Sequence, residues 1–287
     1  MSRARCLGYT CGMGMPIYHG NRFATKNKNA PKAAPKAAPA KPVAVPNVAA
    51  TVGRRLTLVN VNARVSLTEM NRVAAALNTQ LSRDVYPNWW ASCSIGVSAP
   101  GTRVDGPIVY LTRDTGIEGV LGYHDQTSAG VPMAVVSPEV SMALGEDWSV
   151  TLSHEVIEMV GDPHADLYAV GKHPSADRDV LYWHELCDAC QDDTYEIAGV
   201  KLSNFLLPLY FTRGQEPGAR NDFLGRGVSS LGVRPGGYVG FYDPMTGSEY
   251  NVFADQRARE RNIIKAGMGP ARRSSQRFGT PVDYSAE

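Results

Sequence analysis

The sequence predicts an α+β fold in which a mainly mixed sheet supports a helix bearing His154 and Glu155, behind an extended N-terminal arm. Three observations predict it. Short apolar or alternating stretches at 56–62, 92–98, 107–112 and 132–137 have the pattern of strands. Two longer stretches, 66–85 and about 147–160, repeat apolar residues at helical spacing. Their order is strand, helix, three strands, helix, which departs from strict strand–helix alternation and suits an α+β arrangement. The 287 residues, 43% hydrophobic and 20% charged, suit a globular soluble chain of one large domain or two small ones.

Charge divides the chain. Residues 1–68 hold eleven Lys or Arg and no acid, the first acid being Glu69. The other 18 basic residues face all 28 acids, so a basic arm of about +11 joins a body of about −10 behind a net charge of +1. Such asymmetry points to an arm with its own partner. Residues 29–50, NAPKAAPKAAPAKPVAVPNVAA, read as a linker of extended polyproline geometry that forms no core. Ahead of it, Tyr9, Met13, Met15, Tyr18 and Phe23 suit a docking peptide on that tether. The expected divisions are a docking arm (1–28), a linker (29–53), a folded domain (54–256) and a basic tail (257–287). The expected partner of the arm is a protein, within a larger assembly such as a virion. Its charge also allows weak nucleic-acid contact, without a named motif for it. No long apolar run follows MSRARCLGYTCGMGM, and no window has the roughly 18 apolar residues of a membrane helix. The expected location is cytoplasmic or virion-associated.

The first strand is LTLVNVN (56–62). In the helix that follows, Ser66 and Glu69 form a capping box, and Leu67, Met70, Val73, Ala74, Leu77 and Leu81 form its stripe. SCSIGVS, PIVYLT and PMAVVS are three more strands, the last two separated by a Gly-rich polar loop containing GVLGYHDQTSAG. The second helix has Asp147 as N-cap, and Leu152, Val156, Met159 and Val160 as its apolar stripe. Gly161 is expected in a left-handed C′ position, with Asp162-Pro163 as the stop. A polar loop (162–180), an acidic patch (185–196), a strand-like FLLPLYF (205–211) and a Gly/Arg-rich loop (213–236) follow. A hairpin of GYVGFY and EYNVF around DPMTG ends the domain.

The chemistry lies in TLSHEVIEMVGDPH, residues 151–164. Positions i and i+4 share a helix face, so His154 and Glu158 can hold one metal ion, and Glu155 can reach a water on that ion. Glu is an acceptable zinc ligand in place of His. Further candidate ligands are His164, Glu185 and Asp188, with Asp162 more simply read as a turn residue before proline. The odd count of five cysteines, without a secretory leader, argues against a disulfide framework. Cys187-x-x-Cys190 can pair with itself, bind metal or stay reduced. His173 and His184 are expected at the surface. Asp188, Asp192, Asp193 and Glu196 lack the EF-hand calcium spacing. GRGVSSLG (225–232) has no P-loop lysine, and no Ser or Cys sits in a nucleophile elbow.

The strand–helix–strands order ending in HExxE resembles the zincin metallopeptidases. The spacing of His154, Glu158, Gly161 and His164 is similar to the metzincin motif with its middle His replaced by Glu. A closer resemblance is to a bacterial and phage group carrying SHEVxE, then Asp-Pro, an acidic E-x-C-D-x-C element and a later GGY…DP. Here these are Ser153–Glu158, Asp162-Pro163, Glu185–Cys190 and Gly236–Pro244. It covers about residues 56–255. The resemblance implies a zincin-like sheet and active-site helix, zinc or another divalent metal, and a third ligand from the acidic element, Asp188 or Glu185. It also implies peptide hydrolysis with Glu155 as general base, and His124 or Tyr123 as donor to the oxyanion. One imidazole and two carboxylates leave the ion less positive than three imidazoles do, so a slow hydrolase or a structural site is expected. The alternative is a non-catalytic assembly protein, such as a virion component, built on the same scaffold.

Overall fold

The structure, a computed structural model, describes residues 55–99, 101–212 and 219–267. The chain divides into units Met1–Val45 and Pro46–Glu287, and every described residue belongs to the second. The expected arm, the linker and residues 268–287 of the tail lie outside the described residues.

Strand β1 (Arg55–Asn60) leads into helix α1 (Leu67–Thr79). Ser66 caps that helix, its Oγ accepting the Glu69 N–H at 3.1 Å. The Glu69 carboxylate does not return to the cap but binds Arg72, so only half of the expected box forms. The apolar stripe continues through a π-helical turn (Gln80–Val85) and a short helix α2 (Tyr86–Trp89), where left-handed Trp90 (φ 55°) ends it. Strands β2 (Ser94–Ser98), β3 (Ile108–Leu111), β4 (Gly122–Gln126) and β5 (Pro132–Val136) complete a sheet of order β2-β1-β3-β5-β4. All its pairings are parallel except β4 with β5. Strand β4 replaces the expected loop. Gly122, His124 and Gln126 occupy one of its faces, so it shows no apolar alternation to read.

The two faces of this sheet bury different clusters. Leu56, Leu58, Val109, Leu111, Ala134 and Val136 pack with α1 and with α4 (Trp148–Gly161). Val59, Ile108, Tyr110, Tyr123, Met133 and Val135 form a second cluster on the other face. Helix α3 (Pro138–Ala143) bridges β5 and α4. Every residue of α4 from Trp148 to Val160 is buried, including its acids, as expected for a helix enclosed on all sides. Asp147 holds the cap position without capping, its carboxylate pairing with Lys201 at 2.7 Å instead. Gly161 is the last helical residue and not a left-handed cap, and the chain turns at Asp162 (φ −138°). The glycine is needed for another reason: a Cβ there would lie 2.6 Å from Leu186.

Beyond α4, the expected polar loop is a hairpin of β6 (Tyr168–Lys172) and β7 (Asp179–Trp183). Each strand leaves one face more exposed than the other. They join β10 (Tyr238–Asp243) and β11 (Ser248–Phe253), the expected hairpin, in an antiparallel sheet β11-β10-β7-β6. A small hairpin, β8 (Thr194–Ile197) and β9 (Val200–Ser203), packs beside α4, where Ser203 N–H donates to Ser153 Oγ at 2.7 Å. FLLPLYF is apolar because it is buried, not because it is a strand: Phe205 and Leu207 enter the α4 cluster, and a 3-10 turn runs from Pro208 to Phe211. The tail begins as helix α5 (Gln256–Gly267), with Ala258 buried. No helix among the described residues is long and apolar enough to cross a membrane.

Candidate metal centre

Helix α4 presents His154, Glu155 and Glu158 in its interior turns, and all three are buried. His154 Nε2 lies 3.2 Å from Glu158 Oε1, the i, i+4 contact that the spacing dictates. The helix is fixed just ahead of this stretch. Ser149 Oγ donates to the Lys201 carbonyl at 2.8 Å, and Ser141 and Thr151 hydroxyls meet at 3.0 Å.

Strand β4 supplies the next group. His124 stands opposite Ala134 in the ladder, and Tyr123 opposite Val135. Ala134 belongs to the α4 face and Val135 to the other. The two-residue period of a strand therefore aims His124 at α4 and turns Tyr123 into the second cluster. Tyr123, expected as an oxyanion donor, is therefore placed in the second cluster and not with the α4 residues. His124 has no exposed surface. Its Nδ1 lies 3.6 Å from Glu158 Oε2 and 3.8 Å from Glu155 Oε2, and its Nε2 lies 3.9 Å from Glu185 Oε2. Both ring nitrogens thus face carboxylates. Gly122 lets β4 come this close: a Cβ there would sit 2.9 Å from Thr151 Cγ2 and 3.0 Å from Glu155 Cγ.

The acidic element arrives from the segment after β7. Leu186 packs on bare Gly161, and the Cys187 N–H donates to Glu158 Oε1 at 3.1 Å. A 3-10 turn (Asp188–Cys190) then sets Asp188 Oδ1 3.1 Å from His154 Nε2. His164 is not drawn into this group; its Nδ1 meets Gln126 Oε1 at 3.2 Å. Asp162 turns the chain, accepting the N–H groups of Asp166 and Leu167 at 3.1 and 2.9 Å. His184 is half-buried: its ring packs against Trp89 and Phe211, and burial pushes its pKa down. Cys187 and Cys190 are buried free thiols, not a disulfide, and burial pushes both well up.

Among the described residues, two groups have ligand atoms within 4.8 Å of one another: His154, Glu158 and Cys187, and His124, Glu158 and Glu185. These groups have the composition to hold a metal ion. Cys187 is the member that sequence reasoning did not select, although its place in a CxxC pair was a signal. Asp188, the expected third ligand, belongs to neither group, although it lies close to His154. Its carboxylate faces His154 Nε2 directly, whereas the Cys187 Sγ is turned to the His154 carbonyl at 3.8 Å. A cavity of about 40 Å³, lined by His154, Glu155, Gln191 and Arg261 among others, opens beside the cluster, enough for about one water. Arg261, on α5, contacts Glu146 and donates to Asp192 at 3.1 Å, and burial lowers its pKa.

Fold and site together define a mixed α/β protein with a buried His/carboxylate centre suited to a metal ion. The chain matches no protein-family model, no curated protein and no solved structure.

Proposed function

We propose that this chain is a zincin-like, metal-dependent hydrolase, a metallopeptidase whose ion is zinc. The observation that carries the reading is the convergence on one buried helix. His154, Glu155 and Glu158 come from α4, and Asp188 meets His154 at 3.1 Å from a distant segment. A sheet with one antiparallel edge strand beside that helix is in keeping with a zincin-like fold.

His154 Nε2, Glu158 Oε1 and Asp188 Oδ1 would hold the ion, which when bound would polarise a carbonyl and acidify a water. Glu155 lines the adjoining cavity, where it can take a proton from water and pass it to a departing amine. Its burial keeps that proton transfer out of bulk solvent. One imidazole with two carboxylates makes for slow turnover and tolerance of harder ions than zinc.

The test is metal analysis and cleavage of an unfolded protein substrate by the full chain and by Glu155→Gln. The expected result is bound divalent metal in both, with the cleavage rate about 10²- to 10⁴-fold lower in the variant. Equal cleavage by the two, or no metal above background, overturns the reading.

A further inference from the structure

The two candidate groups share one residue, Glu158, and they use it from opposite sides. Glu158 Oε1 meets His154 Nε2 at 3.2 Å and the Cys187 N–H at 3.1 Å. Glu158 Oε2 turns the other way, 3.6 Å from His124 Nδ1. Each histidine then has a carboxylate of its own: Asp188 for His154 at 3.1 Å, and Glu185 for His124 at 3.9 Å. The arrangement is two histidine–carboxylate pairs joined through a single bridging carboxylate.

Spacing and charge both bear on how many ions this holds. Ligand atoms about 2.1 Å from a tetrahedral ion stand roughly 3.4 Å apart. The His154 contacts at 3.2 and 3.1 Å and the His124 Nδ1–Glu158 contact at 3.6 Å fall near that figure, and the contact of His124 Nε2 with Glu185 is longer, at 3.9 Å. Four buried or nearly buried carboxylates, Glu155, Glu158, Glu185 and Asp188, meet here. Imidazoles that bind metal are neutral. Burial disfavours uncompensated carboxylates, and divalent ions are one source of compensating charge.

We propose that the centre is binuclear, with a second divalent cation held by His124, Glu158 and Glu185 and with Glu158 bridging the two ions. This rests on the reading of α4 as a metal centre. The second position has one nitrogen donor and carboxylate oxygens, a set that accepts manganese as well as zinc. One ring nitrogen of His124 takes the ion, and the other donates its N–H to a remaining carboxylate, which fixes the ring.

The experiment strips the full chain with a chelator, reloads it with Mn²⁺ or Zn²⁺, and counts ions per chain by elemental analysis and calorimetry. Wild type is expected to bind two. His124→Ala and Glu185→Gln are expected to bind one, and Glu158→Gln to lose the second ion and weaken the first. The manganese-loaded wild type should also show an exchange-coupled spin signal that Glu185→Gln lacks. Glu185→Gln is nearly isosteric and partly exposed, so it guards against a His124→Ala that does not fold. A wild type that binds one ion, with Glu185→Gln binding the same, overturns the second site and leaves the first. A wild type that binds none overturns both.

Discussion

Asp243, near the turn of the β10–β11 hairpin, has no exposed surface, and neither has Glu158 on α4. Asp243 Oδ2 accepts from Arg178 Nε and Nη2 at 3.0 and 2.6 Å, and its Oδ1 accepts the Met245 N–H at 3.0 Å. A permanent cation and a backbone donor thus serve one carboxylate from within the chain. Glu158 instead faces two histidines, which in turn face Glu155, Glu185 and Asp188. Arginine carries its charge at every relevant pH, whereas an imidazole does so only below about pH 6.5. Asp243 is therefore one half of an ion pair within the chain, and the α4 cluster has the His and carboxylate composition to hold a metal ion.

The largest expected effect separates the two sites by chelation. If the α4 acids are neutralised by metal, stripping the loaded protein should lower its Tm, by the equivalent of about 4 kcal/mol when free metal stood at 1,000 times Kd. Thermal melts with and without chelator measure this. An unchanged Tm would put the α4 acids on the same footing as Asp243.

The next contrast uses pH. Arg178 holds the Asp243 carboxyl below its ordinary 3.8. A group whose folded pKa is lowered contributes stability that is complete above the unfolded pKa and is lost as pH falls through the folded one. The hairpin's share of stability should therefore hold above about pH 4 and fall below it. Asp243→Asn should lower Tm at neutral pH, remove that acid dependence, and leave metal content unchanged. Hydrogen exchange of the β10 and β11 amides as a function of pH is the readout.

The smallest effect is a control remote from both sites. Ser66→Ala removes the α1 cap and should lower stability by about 1 kcal/mol, with metal content and acid dependence as in wild type. Denaturant melts with equal slopes would show it. A coupled loss of metal would mean that the comparison reflects global stability rather than local charge.

Much of the fold was legible along the chain. The stripes of α1 and α4, the strands β1, β2, β3 and β5, and the last hairpin follow from the periodicity of neighbouring residues. The misreadings share one cause. Strand β4 carries Gly122, His124 and Gln126 toward α4, so its inward face is not apolar. Strands β6 and β7 have solvated faces, and Leu206 and Leu207 are apolar because of what encloses them. Gly161 was expected as a left-handed cap, but it is helical, and a Cβ there would lie 2.6 Å from Leu186, 25 positions further along the chain.

For the site, the sequence by itself determined the contact between His154 and Glu158 and the place of Glu155 beside them. One helical turn fixes those relations, and no distant residue can alter them without unwinding the helix. Only the tertiary structure decided the rest. The pairing of β4 with β5 chose His124 over Tyr123. The packing of Leu186 on Gly161 brought Glu185, Cys187 and Asp188 to the motif, while His164 turned to Gln126. Those choices depend on contacts between residues far apart in the chain, where a shift of one residue in a strand reverses which side chain faces the helix.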